Sequence, residues 1–330
     1  MALDVKCNGA GDKLSSIFQN KWAVLGIAIF CTLLWGSAFP VLKISNKELQ
    51  MAADDPIAQI VFAGMRFLLA GLLILVFLFL KNRKQLFVKR SQVFVLIIFG
   101  IIQTAVQYFF FYNGLAKVSG MQGAILTSSG TFLTVLLAHF FYKNDKMNRK
   151  KMIGILTGIA GIIIANWGQE FQFQFQWNGE GFMILAGLTS AITMIMGKEL
   201  AVNINPITLT GWQLTIGAAM LLIIGLPQLG ENAISFTPFG WGLLVYAAVI
   251  SSLAFALWFS ILKYNKAGEM SIYKFLTPVF GVFLSAFFIS GEKMNLYMFA
   301  AIALVSVGIL AINYNGKQPK TATNQIKNIG

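Results

Sequence analysis

The stretch Asp145-Lys146-Met147-Asn148 recurs 147 positions later as Glu292-Lys293-Met294-Asn295. In both places a pair of phenylalanines lies a few residues upstream. The same offset pairs further residues without a gap: Gly64 with Gly211, Arg66 with Gln213, Tyr112 with Phe259, Gly161 with Gly308, and Asn166 with Asn313. The shared Lys-Met-Asn does not follow from composition, so two related halves are predicted. A duplication kept for packing alone and chance matches among Phe, Leu and Gly are the alternatives.

The composition around this repeat is that of a membrane protein. Of the 330 residues, 57% are apolar, only 11% are charged and 2 are cysteines, and the mean hydropathy is +0.72. Soluble proteins carry about 25% charged residues. A water-soluble domain, a secreted disulfide framework and a disordered regulator are therefore excluded. The apolar stretches are continuous and do not alternate with period two, which excludes a β-barrel.

A membrane-crossing helix needs about 20 apolar residues, and the chain contains ten such runs. They are residues 22–42, 57–80, 92–114, 119–142, 151–167, 180–198, 206–226, 239–262, 270–290 and 295–314. Each half holds five, and because five is odd, the second half enters the membrane from the opposite side. We therefore predict an all-α membrane protein with ten transmembrane helices arranged as two inverted five-helix repeats. The predicted organisation is a cytosolic N-terminal segment at 1–21, repeats at 22–167 and 180–314, an outer loop at 168–179, and a cytosolic basic tail at 315–330.

The cationic side chains are sorted by side of the membrane. With both termini in the cytosol, 19 Lys and Arg residues lie inside and 4 lie outside. The inside set is Lys6, Lys13, Lys21, Lys81, Arg83, Lys84, Lys89, Arg90, Lys143, Lys146, Arg149, Lys150, Lys151, Lys198, Lys263, Lys266, Lys317, Lys320 and Lys327; the outside set is Lys43, Lys47, Lys117 and Lys293. Because positive loops stay in the cytoplasm, this predicts a multi-pass protein of the cytoplasmic membrane with both termini inside. The net charge of +13 then reflects topology, and no nucleic-acid partner is predicted.

Four motifs resemble those of the EamA branch of the drug/metabolite transporter superfamily. They are Leu34-Trp35-Gly36-Ser37-Ala38-Phe39-Pro40, Arg66-Phe67-Leu68-Leu69-Ala70-Gly71, Leu276-Thr277-Pro278-Val279-Phe280 and Ser290-Gly291-Glu292. The resemblance covers roughly residues 22–314. It implies two five-helix units, transport activity, and a central cavity lined by spans 1, 3, 4, 6, 8 and 9. It implies little about the substrate.

A lysine inside the ninth span is the leading candidate for substrate binding. An ionisable side chain within the bilayer costs about 2.5–3.5 kcal/mol on insertion scales, so it needs a partner or a water-filled cavity. Lys274 shares a helix face with Thr277, Gly281 and Ser285. We interpret it as a cation that attracts an anionic group of the substrate. The alternative is that its long aliphatic side chain carries the ammonium group to the cytosolic surface. The offset of 147 pairs Thr127 with Lys274, so Thr127 is a candidate substrate-binding residue as well.

Other candidate substrate-binding residues are polar or aromatic side chains on several spans. They are Trp35, Ser37, Gln107, Tyr108, Trp258, Tyr273 and Thr277. The alternative for these residues is lipid contact, packing, or hydrogen bonding between helices.

A second group of residues is assigned structural or gating roles. Arg66 is expected to cap backbone carbonyls or pair with a polar neighbour, with substrate contact as the alternative, and Gln213 is its repeat partner. Pro40 and Pro278 are expected to bend the first and ninth spans. His139 is the only histidine, and a hydrogen-bonded structural role is expected in preference to proton transfer.

The absence of certain motifs narrows the function. No Asp or Glu lies deep in any predicted span, which disfavours a carboxylate proton relay and an exporter of cations with a buried acidic site. The chain also lacks HExxH, the GxxxxGK phosphate loop and a dinucleotide fingerprint, so no cofactor, metal or ATP-driven step is predicted. The leading interpretation is a non-enzymatic secondary transporter that exports amino acids or related small polar metabolites by alternating access. Its predicted partners are the small-molecule substrate and the lipid bilayer, and no oligomer is required.

Three alternatives to this interpretation stay open at this point. The protein could import or exchange an anionic or neutral metabolite, because the sequence does not indicate direction. A membrane enzyme acting on lipid would need a polar catalytic cluster, and His139 has no convincing Asp, Glu or Ser arrangement near it. A sensor or scaffold is disfavoured because the chain has no sizeable soluble domain.

Overall fold

The computed structural model describes residues 16–52, 55–118, 120–165, 167, 175–289 and 296–313, and within these ranges the regular elements are all helical. The long helices are α1 (Lys21–Glu48), α2 (Pro56–Lys81), α3 (Arg90–Leu115), α4 (Gly120–Phe141), α5 (Arg149–Ala165), α6 (Trp177–Asn203), α7 (Pro206–Gly225), α8 (Pro238–Leu262), α9 (Ala267–Phe288) and α10 (Leu296–Asn313). A single-turn helix, Arg83–Leu86, lies between α2 and α3.

Nine of these helices are long and apolar enough to cross a membrane. The exception in the described part of the chain is α5, whose 17 residues span about 26 Å at 1.5 Å per residue. A typical hydrocarbon core is about 30 Å thick. The all-helical membrane fold is therefore confirmed, whereas the tenth crossing stays a prediction.

Three helices begin with a capping side chain followed directly by proline. These pairs are Asp55-Pro56, Asn205-Pro206 and Thr237-Pro238, and in each the side-chain oxygen accepts a hydrogen bond from a backbone N–H of the first turn. Proline has no N–H to leave unsatisfied at the first helical position, and its fixed φ suits a helix start. The starts of α2, α7 and α8 consequently lie within one residue of those predicted.

The helix α9 is broken about two turns after its start. It consists of Ala267–Tyr273 and Leu276–Phe288, separated by Lys274 and Phe275. Pro278 has no N–H and its ring clashes with the carbonyl four residues earlier, which is that of Lys274. That carbonyl instead accepts from the N–H of Thr277 at 3.0 Å, in a tighter turn. The bend expected at Pro278 is therefore a break one turn earlier, whereas α1 stays helical through Pro40.

Helices of one half pack on helices of the other half, and the pattern of these contacts is the same when the two halves are swapped. Helix α1 packs on α9 and α6 on α4, while α2 packs on α7 and α5 on α10. Suppose that α1–α5 correspond in order to α6–α10. The α1–α9 contact then corresponds to the α6–α4 contact, and the α2–α7 and α5–α10 contacts each correspond to themselves. This arrangement is what two related five-helix units produce.

Close contacts between α2 and α7 follow the offset of 147 at the level of single residues. A Cβ on Gly64 would lie 2.8 Å from the Leu222 side chain, and a Cβ on Gly211 would lie 2.9 Å from Leu75. Gly64 and Gly211 are 147 positions apart, and so are Leu75 and Leu222. The same leucine-on-glycine contact is thus made twice, once from each half.

A buried ion pair of the first half contacts the second half at the end of the bundle that carries the loops 82–89 and 142–148, here called the basic end. Lys151 and Asp145 form this pair, and each side chain is only 1% exposed. The Lys151 ammonium also donates to the carbonyls of Asp145 at 2.7 Å and Lys146 at 2.9 Å. The second Asp145 oxygen accepts from the N–H of Gly268, at the start of α9, at 2.8 Å. One carboxylate therefore ties the α4–α5 loop to the second half.

Three further hydrogen bonds organise the same loop. His139 Nδ1 accepts from the N–H of Met147 at 2.9 Å, and the His139 carbonyl accepts from Lys146 at 2.7 Å. The hydroxyl of Tyr142 donates to Glu199 of α6 at 2.7 Å. Burial, followed by this hydrogen bond, raises the pKa of Tyr142 above its ordinary value, so the hydroxyl is a proton donor at neutral pH. Such contacts fit the structural role predicted for His139.

Candidate functional site

A cavity of about 620 Å³ lies between the two halves. Its walls come from α1, α2, α3, α4, α6, α8 and α9. The family resemblance implies six of these helices as cavity walls, and the structure adds α2 as a seventh. The lining extends from Lys274 and Trp258 in the interior to Asn46 and Ala116, next to the ends of α1 and α3 that lie away from the basic end. The cavity therefore reaches one end of the bundle, while the Asp145 contact joins the halves at the other.

The cavity brings together nine of the residues predicted from sequence. They are Trp35, Arg66, Gln107, Tyr108, Thr127, Trp258, Lys274, Thr277 and Pro278. The other five do not line it: Ser37, Pro40, His139, Gln213 and Tyr273.

Three of the residues outside the cavity have partners elsewhere. Ser37 donates to the Leu34 carbonyl at 2.8 Å and accepts from the Tyr246 hydroxyl. The Tyr273 hydroxyl pairs with Asn313 of α10, at 3.0 Å to the amide oxygen. Gln213 is fully buried, and its amide oxygen accepts from Thr104 of α3 at 2.9 Å. Ser37 and Tyr273 are predicted from sequence to bind substrate, and their hydroxyls instead make contacts within the helical bundle.

Lys274 lies in the break of α9 and faces the cavity. Its ammonium is 5.6 Å from the centroid of the Trp258 ring, a cation–π contact. Within the described residues it makes no hydrogen bond or ion pair. The break holds Lys274 in the cavity wall, so its charge is available to a ligand.

Four aromatic rings form a continuous wall beside this lysine, here called the aromatic wall. It consists of Trp258, Trp35, Phe255 and Phe67. The ring centroids are 5.1 Å apart for Trp258 and Trp35, 5.3 Å for Trp35 and Phe255, and 6.4 Å for Phe255 and Phe67. These are contact distances for edge-on and tilted pairs. The wall gives an apolar ligand body a surface inside the cavity.

Arg66 lies at the Phe67 end of the aromatic wall. Its guanidinium carbon is 4.2 Å from the Phe67 ring centroid, and the residue is only 4% exposed. The Nε atom is buried without a hydrogen-bond partner. In the part of the chain that the structure describes, Arg66 caps no backbone carbonyl and pairs with no carboxylate. The structural role expected for Arg66 and the alternative of substrate contact both stay predictions.

Several polar groups complete the lining. On α3, Gln103 donates to Gln107 at 3.0 Å next to a π-helical turn, Ile101–Val106. Four buried indole or hydroxyl donors on lining residues lack a hydrogen-bond partner among the described residues, namely the indole nitrogens of Trp35 and Trp258 and the hydroxyls of Tyr112 and Thr277. None of the described lining residues is Asp or Glu. The site thus offers Arg66 and Lys274, the exposed Lys43 and several uncharged donors, which together suit an anionic ligand.

Sequence reasoning missed part of the α8 wall. Ser251 and Phe255 line the cavity alongside Trp258. They precede Trp258 by seven and three residues, a spacing that keeps all three on one helix face. Extending the face of Trp258 backward along α8 would have found both residues. Gln59, one turn into α2, also lines the cavity, and no sequence pattern of this kind indicated it.

Comparison with known families agrees with this architecture. A model of the EamA-like transporter family matches residues 21–167 and 177–314. The chain belongs to this family. The resemblance drawn from the sequence motifs is confirmed, and the general activity of the chain is transport.

Individual relatives of this EamA-like transporter are distant but extend over most of its length. The uncharacterised transporter YetK of Bacillus subtilis is 28% identical and covers 78% of this chain and 79% of its own. An uncharacterised transporter of Synechocystis is 25% identical over 85% and 86% of the two chains. A WAT1-related chloroplastic protein of Arabidopsis thaliana is 25% identical over 89% of this chain and 69% of its own.

A solved crystal structure is also similar to the EamA-like fold described here. The TM-score is 0.71, and the match covers 86% of this chain and 94% of that one at 14% identity. At this identity the likeness concerns the fold alone.

Proposed function

We propose that this EamA-like protein is a secondary transporter that exports a small polar metabolite, with amino acids and related carboxylates as the leading class, across the cytoplasmic membrane. The observation that carries the proposal is Lys274, which lies in the break of a transmembrane helix, faces the cavity between the halves, and has no ion-pair partner among the described residues. A buried charge of this kind is costly unless water or a ligand compensates it. Broken helices at the midplane are a recurring way for transporters to build substrate sites.

The relation between the halves supports alternating access as the proposed mechanism. The cavity reaches one end of the bundle, and the Asp145–Gly268 contact joins the halves at the basic end. We infer that the repeats are inverted and rock against each other, so that the basic end opens when the other end closes. The break at Lys274 and Phe275 is a suitable hinge, because its carbonyls are already free of the regular helical ladder.

The first test concerns Lys274 and can be run before the substrate is identified. In cells that overproduce the protein, at least one amino acid or related carboxylate is expected to accumulate in the medium. Lys274→Ala should reduce this accumulation by about 10- to 100-fold, because truncating one member of a desolvated charge pair costs about 1.4–2.7 kcal/mol or more. Lys274→Arg keeps the charge and should retain part of the activity. The measurement is metabolite profiling of the medium by mass spectrometry.

The matched control for this test is Lys84→Ala, which removes an exposed lysine outside the long helices. It should export at the wild-type rate with an equal amount of protein in the membrane. Unchanged export by Lys274→Ala would remove the lysine from the site. No difference in the medium between overproducing and empty cells would overturn export itself, and uptake of labelled metabolites would then test the import alternative.

A second test concerns the inverted arrangement. Cys7 lies outside the described residues, whereas Cys31 is fully buried and should not react. We expect Cys7 to be protected from a membrane-impermeant maleimide in intact cells and labelled after permeabilisation. A Thr323→Cys variant in a Cys7→Ser background should behave identically, because both termini are predicted to be cytosolic. Labelling of one terminus from outside and the other from inside would contradict an even number of crossings.

A further inference from the structure

We propose that the cavity is built for a substrate with two anionic groups, one bound by Lys274 and the other by Arg66, joined by an apolar body that lies on the aromatic wall. The inference rests on the transport function proposed above and names the substrate class of the same site.

The charge in the cavity is the first argument. Arg66 and Lys274 both line it, and neither has an ion-pair partner among the described residues, whereas Lys43, the third lining cation, is exposed. No carboxylate is found among the described lining residues. A ligand with one negative charge would leave one of these two cations uncompensated, whereas a ligand with two negative charges compensates both. The ammonium of a zwitterion, by contrast, would meet no carboxylate there.

The separation of the two cations is the second argument. Arg66 comes from α2 and Lys274 from α9, and the aromatic wall runs between them. Lys274 contacts the Trp258 ring at one end of the wall, and Arg66 contacts the Phe67 ring at the other. Because one cation contacts the first of these four rings and the other contacts the last, we infer that they do not share one compact anion such as phosphate. They instead fit anionic groups at opposite ends of one molecule.

The unpartnered donors are the third argument. Arg66 is 4% exposed, and its buried Nε has no partner. The indole nitrogens of Trp35 and Trp258 are buried without partners in the wall itself. A buried donor that stays unsatisfied costs about 1–3 kcal/mol. Carboxylate oxygens only accept hydrogen bonds, so two carboxylates could satisfy these donors as well as the charges.

The test is a binding panel on the purified full-length protein. The probes are glutarate, adipate and terephthalate as dianions, valerate and benzoate as matched monoanions, leucine as a zwitterion, and inorganic phosphate. Thermal shift and quenching of tryptophan fluorescence report binding, since Trp35 and Trp258 lie in the wall. At least one dianion should bind about tenfold or more tightly than its matched monoanion. Reconstituted vesicles loaded with that dianion should take up its labelled form in exchange.

Variants assign the two ends of the ligand. Arg66→Gln and Lys274→Gln should each reduce the dianion preference to about threefold or less, because only one of the two cations then remains. Arg66→Lys and Lys274→Arg keep the charges and should keep part of the preference, which also shows that the site still folds. Thermal unfolding of the unliganded variants checks the fold independently.

The outcomes separate this inference from the proposed function. Transport of leucine with no competition by any dianion would overturn the inference and leave the transporter intact. Tight dianion binding that is unchanged in Arg66→Gln would also overturn it, because the second cation would then lie outside the site. Binding of phosphate in preference to every dicarboxylate would indicate a single anion pocket and contradict the inference. Failure of the whole panel, together with no exported metabolite in cells, would reject both.

Discussion

Replacing Lys151 with methionine should lower the free energy of unfolding by about 3–5 kcal/mol, because the substitution leaves the Asp145 carboxylate buried without its counter-charge. Both side chains are 1% exposed, and the ammonium also satisfies two backbone carbonyls of the α4–α5 loop. Methionine has a similar volume and leaves all three acceptors unpaired. The measurement is thermal or denaturant unfolding of the detergent-solubilised protein, followed by tryptophan fluorescence.

A second variant separates the lost charge balance from the lost packing. Asp145→Asn combined with Lys151→Met removes both charges, and the Asn oxygen can still accept from the N–H of Gly268. We expect the double variant to recover much of the stability lost in the single variant. Arg149→Met, an exposed neighbour, should stay within about 0.5 kcal/mol of wild type. A Lys151→Met protein as stable as wild type would show that the pair is solvated after all.

The buried pair also shows what the sequence leaves undetermined at the basic end. Lys151 and Lys146 count in the sequence only as loop charges that set orientation, and for that purpose their position along the chain is sufficient. The burial of Lys151 depends on Gly268, whose N–H approaches Asp145 from 123 residues away. No local pattern carries that information, because the contact exists only once the halves have docked.

The helices themselves follow from local sequence. Continuous apolar runs, capping residues and helix-starting prolines predict where the long helices lie, and the starts of α2, α7 and α8 agree to within one residue. The bilayer requires every backbone group to be paired within its own helix, so periodic apolar runs have few other solutions. Helix ends are less determined: α1 continues to Glu48, six residues past its predicted end.

The cavity can be predicted residue by residue only where the helix geometry is regular. Trp35 lines the cavity as predicted, but Ser37, two positions later, is rotated by about 200° around the helix axis and contacts Tyr246. Tyr273 precedes Lys274 directly and contacts Asn313 outside the cavity. In α9 the break changes which side chains share a face, and a straight-helix projection does not include such a change.

A leucine at Gly217 is expected to destabilise the bundle by about 3 kcal/mol or more, because there is no room for a side chain between α7 and α3. A Cβ on Gly217 would collide with the Gly100 carbonyl and with Thr104 Cβ, and would lie 3.0 Å from Thr104 Cγ2. The Gly100 carbonyl belongs to the backbone and cannot rotate away. Unfolding of the purified protein, with the monomeric fraction after heating as a second readout, measures the effect.

The control for this prediction is a leucine substitution that should not lower stability. Gly242 lies near the start of α8, is exposed, and a Cβ there would meet nothing within 4 Å. Gly242→Leu should therefore leave stability unchanged or raise it by up to about 1 kcal/mol, since leucine is a better helix former than glycine. Equal stability of the two leucine variants would mean that α3 can move away from α7. Such movement would also break the hydrogen bond from Thr104 to Gln213, one turn before Gly217, because this bond and the close approach at Gly217 both join α3 to α7.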